Sequence, residues 1–116
     1  MNSDLPERRV RRSSNPSEAL ACWLEAVRRR LAVRSVALAD SLGMLVAGAG
    51  PARECDELAA WAPLQLHADV GPEGPPFKLS LARVPGFDAY VCAENAALEA
   101  LATAAAGCSR ILAARA

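Results

Sequence analysis

The spacing of apolar residues changes along this chain, and each change marks a different element. Leu20, Trp23, Leu24, Val27 and Leu31 recur at i, i+3, i+4, i+7 and i+11, one face of an amphipathic helix. Asn15 suits its N-cap, Pro16 its first position, and Glu18 completes a capping box. Arg28, Arg29 and Arg30 complement the dipole at the other end. From Ser35 the period shortens. Val36 and Leu38 alternate with Ala37 and Ala39, Asp40-Ser41-Leu42-Gly43 reads as a turn, and Met44-Leu45-Val46-Ala47 resumes the apolar run, which predicts a hairpin.

Pro51 to Ala62 reads as a short second helix, acidic in its first turns at Glu54, Asp56 and Glu57, and Pro63 is expected to end it. Leu64, Leu66, Ala68 and Val70 alternate as a third strand. Gly71 to Pro76 is a loop, Phe77 to Val84 a fourth strand, Pro85-Gly86 a turn and Phe87 to Ala93 a fifth strand. A last helix starts at Asn95, with Leu98, Leu101, Ala102, Ala105, Ile111 and Leu112 as apolar positions. Gly107 weakens or breaks it, and a sixth strand over 110–114 is the alternative.

Composition narrows the picture. At 116 residues the chain makes one domain, with 1–14 a flexible basic tail and 15–116 the folded part. Alanine supplies 26 residues and aromatics only 4%, so the core is thin and association is expected to add stability. Formal charge is zero overall, yet residues 1–34 carry +4 and 35–116 carry −4, a polarity suited to head-to-tail contacts or an acidic partner. Arginine outnumbers lysine 12 to 1, a composition typical of GC-rich bacterial genomes. The polar, Arg-rich start does not resemble a signal peptide, and no apolar run approaches the ~18 residues of a membrane span, so a cytoplasmic protein is expected.

Candidate chemistry is sparse. Cys92-Ala93-Glu94 has the order of a zinc deaminase half-site, but only Cys108 follows, without the second cysteine motif that completes such a site. Cys22, Cys55 and Cys92 fall in apolar stretches and are expected to be small core residues. His67 has no Cys or Ser to pair with on sequence grounds. Gly48-Ala49-Gly50 lacks the spacing and lysine of a phosphate loop, and the acidic run behind it repels phosphate. Arg8, Arg9, Arg11 and Arg12 without aromatics are a weak nucleic-acid signal. No catalytic, cofactor or metal residue is assigned.

The element order, together with Asp40, Gly43, Met44-Leu45-Val46-Ala47 and Glu57-Leu58-Ala59-Ala60, resembles the roadblock family, the dynein light chain type of domain. The resemblance spans about residues 15–115. It implies an α+β sandwich: a five-stranded antiparallel sheet between helices, the first and last on one face and the second on the other. It also implies non-enzymatic work as a dimeric scaffold, homodimer or dimer with a paralogous chain. The expected partner is a small Ras-like GTPase or a polarity or motility complex. Met44, Val46, Leu58 and Trp61 are the expected interface residues. A small-ligand sensory module of profilin-like or longin-like shape, and a deaminase-like enzyme, are the alternatives.

Overall fold

The computed structural model describes residues 16–66 and 79–115. Helix α1 (Pro16–Leu31) leads into strands β1 (Val36–Asp40) and β2 (Leu45–Ala49), then helix α2 (Ala52–Leu66). Strands β3 (Leu79–Arg83) and β4 (Ala89–Glu94) and helix α3 (Leu98–Arg115) follow. The strands form one antiparallel sheet in the order β2-β1-β4-β3.

Alternation along β1 decides the layering. Val36 and Leu38 pack with Leu20, Leu24, Val91, Leu101 and Cys108, so α1 and α3 cover one face. Ala37 and Ala39 pack with Cys55, Leu58, Ala59, Ala62 and Cys92, so α2 covers the other. All four are fully buried, as two-sided cover requires. Alanines beneath α2 let that helix approach closely. Opposite Ala37 stands Gly48, where a Cβ would lie 2.8 Å from the Cys55 Sγ.

The α1 stripe packs as its spacing predicts, and α1 ends in a Schellman motif. Ala32 takes the left-handed conformation (φ 56), while the Val33 and Ala32 amides donate to the Arg28 and Arg29 carbonyls at 3.2 Å. Asn15 and the 1–14 tail lie outside the described residues.

Two regions depart from expectation. The sheet has four strands among the described residues, not five. Leu64 to Leu66, read as the start of a third strand, form the last turn of α2, and 67–70 lie outside the described residues. Pro63, read as a helix stop, lies inside α2. A proline forfeits one backbone hydrogen bond, and here tertiary contacts offset the loss. Ala59 and Ala62 are buried, and the Gln65 Nε2 amide donates to the Leu79 carbonyl at 3.0 Å, tying the last turn to β3.

The other region is Gly107. It neither breaks α3 nor starts a sixth strand, since 110–114 are helical. Its missing side chain seats an aromatic ring: a Cβ there would lie 2.3 Å from Trp23 Cε2 and Cζ2. The Trp23 indole N–H then donates to the Ala104 carbonyl at 2.9 Å, locking α1 to α3.

Candidate partner-binding surface

The β1–β2 turn is built by one carboxylate. Asp40 Oδ1 accepts from the amides of Leu42 and Met44, both at 2.9 Å. The Asp40 backbone closes the same turn, accepting from Gly43 N at 3.1 Å and donating to Met44 O at 3.0 Å. Gly43 adopts φ +87, and a Cβ there would stand 3.3 Å from Pro63 Cγ and 3.4 Å from the Ala59 carbonyl. The turn therefore rests directly on the second half of α2.

Both elements carry exposed apolar side chains. Leu42 is 82% exposed, Met44 63%, Val46 43% and, on α2, Leu64 41%. Trp61 is half-buried beside them in sequence and packs at the edge of the α2-side core. Val46 owes its exposure to a register shift: Leu38 pairs with Ala47 and Ala39 with Leu45, leaving Val46 as an unpaired bulge on an outer strand. Sequence reasoning misses Leu42 and Leu64, because the first reads as part of the turn and the second as the start of a strand.

The four residues expected at an interface thus fall in different layers. Met44 and Val46 lie open on the hairpin and Trp61 is partly open. Leu58 is only 3% exposed and packs within the protomer against Ala37 and Ala39, so it supports the surface from beneath.

At the start of α2, Glu54 accepts from Arg34 Nε at 2.7 Å and from Ser35 Oγ at 3.0 Å. This acidic clamp holds the α1–β1 connection to α2. Behind it, Gly50 (φ +104) lies so close to the chain that a Cβ would stand 2.4 Å from the Arg34 carbonyl. The Gly48-Ala49-Gly50 run therefore serves close packing at a strand-to-helix turn.

The sequence's chemical candidates separate in the fold. Cys92 is buried in β4 and burial pushes its thiol up to about 12, while Glu94 is exposed at the strand end. Burial likewise raises Cys108 to about 11. Among the described residues no three His, Cys, Asp or Glu side chains gather as a metal site, and His67 lies outside them. No helix among them is long and apolar enough to cross a membrane.

A groove lies on the face of the sheet opposite α2. Trp23, Val27, Leu31 and exposed Arg30 of α1 and Ala100, Thr103 and Ala104 of α3 line it, half-open and about 160 Å³ in volume. Elsewhere on α1, Glu25 is shared by Arg28 (2.6 Å) and Arg29 (2.8 Å). Hydrogen bonds from these guanidiniums, Arg28 first, hold its carboxyl down at about 2.

A scan against protein-family models finds no match, and a search of the curated proteins finds none either. Among solved structures the chain is similar to Myxococcus xanthus MglB, at 15% identity and a TM-score of 0.52. The match covers 80% of this chain and 84% of that one. At that identity the likeness shows the fold alone: a roadblock-like arrangement of three helices and an antiparallel sheet.

Proposed function

We propose that this protein is a non-enzymatic, dimeric scaffold that binds and helps regulate a small Ras-like GTPase in a cytoplasmic polarity or motility complex. The observation that carries the reading is the set of large apolar side chains left open on the hairpin, Leu42, Met44 and Val46, with Leu64 exposed on α2, on a fold like that of MglB. Large apolar side chains left exposed so close together along one hairpin suit an interaction surface. The roadblock resemblance of Asp40, Gly43, Met44-Leu45-Val46-Ala47 and Glu57-Leu58-Ala59-Ala60 supplies the partner class. Met44, Val46 and Trp61 form the contact surface, and Leu58 backs it from within. Self-association through this face also suits a domain whose α2-side core is largely alanine and cysteine.

Light scattering across a concentration series tests the assembly. The expected species is a dimer, twice the 12.2 kDa chain mass. Met44→Asp and Trp61→Asp should each yield a folded monomer with unchanged far-UV circular dichroism, and co-elution with Ras-like GTPases should be lost with the dimer. A wild-type monomer at high concentration, or variants that stay dimeric, would overturn the assignment of this face.

A further inference from the structure

We propose that the α1–α3 groove docks an acidic amphipathic helix of a partner protein, seating one bulky apolar side chain against Trp23 and Val27 and a carboxylate against Arg30. The inference does not rest on the dimer, because the groove lies across the sheet from α2 and stays open when the α2 face is occupied.

Size argues for a protein anchor. At about 160 Å³ the groove is roughly half the lower bound for small-molecule sites, which enclose most of their ligand. A half-open apolar cleft of this size suits a single side chain, the usual form of an interface hot spot. Its walls are two neighbouring helix surfaces, Trp23, Val27, Arg30 and Leu31 on α1 and Ala100, Thr103 and Ala104 on α3, the form that receives a helix in a groove.

Charge selects the occupant. Arg30 is the one charged residue among those lining the groove, while Arg28 and Arg29 pair with Glu25 elsewhere on α1, so the charge the groove presents is positive. Among the described residues Arg30 has no ion-pair partner, which leaves its guanidinium to a carboxylate from outside. The same balance disfavours the chain's own Arg8-Arg9-Val10-Arg11-Arg12 tail and the α1–α3 face of a second copy, both of which bring positive charge.

Two designed Ala-based helical peptides test this, each with one leucine stripe, flanked by glutamates in one and by lysines in the other. They are titrated into the isotopically labelled full chain and followed by NMR. The glutamate peptide should shift the Trp23 indole N–H and the Val27 and Ala104 amides saturably, and the lysine peptide should not. Arg30→Glu, a change at an exposed position, should weaken the glutamate peptide by about ten-fold or more and invert the preference. Four results would overturn the proposal: no saturable shift in α1 or α3, equal binding of both peptides, shifts confined to α2, or loss of a dimer in Arg30→Glu, which would make a second copy the occupant. Groove resonances that move on Val10→Asp in the full chain would assign the site to the tail and overturn it equally.

Discussion

Replacing Gly107 by alanine sets two physical effects of opposite sign against each other. In an ordinary helix interior the change stabilises by about 0.5–1 kcal/mol, because alanine loses less backbone entropy on folding. Here the new Cβ would fall 2.3 Å from Trp23 Cε2 and Cζ2 and 2.6 Å from Nε1. Ordinary carbon contacts lie near 3.5 Å, so the ring must retreat by about 1 Å or more. That movement breaks the 2.9 Å bond from the indole N–H to Ala104, at about 1 kcal/mol. Overpacking between α1 and α3 adds about 1–3 kcal/mol. The net expectation for Gly107→Ala is a loss of about 2 kcal/mol, or a midpoint lower by about 5–10 °C for a domain of this size. Urea and thermal unfolding followed by circular dichroism measure it, with indole fluorescence reporting the displaced ring. The double variant isolates the cause. In a Trp23→Ala background the obstruction is gone, and Gly107→Ala should become neutral or stabilising. A gain in stability with Trp23 present, or the same cost in both backgrounds, would refute the claim that Gly107 exists to seat the indole.

Other positions give comparable sign tests. Ala32→Gly should stabilise by about 1 kcal/mol in urea unfolding, because the Schellman position already holds φ 56 and glycine removes the strain of a side chain there. Gly50→Ala should cost more than Gly86→Ala: both have positive φ, but only at Gly50 does a Cβ meet backbone, 2.4 Å from the Arg34 carbonyl, whereas at Gly86 nothing lies within 4 Å. Under native conditions an aromatic disulfide reagent should titrate one thiol rapidly, exposed Cys22, and reach buried Cys55, Cys92 and Cys108 only after unfolding. Stability should also fall as pH rises above about 8.5, since the unfolded thiols ionise there while burial holds Cys92 near 12 and Cys108 near 11. The unfolded state then binds fewer protons, so each of these two thiols contributes a decline of up to about 1.4 kcal/mol per pH unit in that window. Cys108→Ala should make the decline shallower.

How much of this was legible in the sequence differed by element. Helix α1 was readable because its stripe, acidic start and basic end agree. The β1–β2 hairpin was readable because Asp40 and Gly43 supply the turn chemistry that its hydrogen bonds use. The end of α2 was not, because Leu64 and Leu66 two residues apart satisfy a strand period over too short a window, and the preceding Pro63 reinforced the error. What holds that turn helical is the contact of Gln65 with Leu79, 14 residues away, which no local pattern encodes. Gly107 was misread for the same reason: its function depends on Trp23, across the α1–α3 interface. The resemblance names Met44, Val46, Leu58 and Trp61 as interface residues but carries no information on exposure; the exposure of Met44 and Val46 and the inward packing of Leu58 on Ala37 and Ala39 depend on the register and on the tertiary contact of α2.

The seat of Gly43 against Pro63 and Ala59 has a consequence for recognition. It ties the hairpin that carries Leu42, Met44 and Val46 to the helix that carries Leu64 about twenty residues later. The interface proposed above, drawing on both elements, is therefore a discontinuous epitope. A short peptide copied from either segment would carry only part of it and compete poorly. A partner touching both halves would discriminate folded chains from nascent or damaged ones, and its binding would draw the protein's conformational equilibrium toward the native state by mass action.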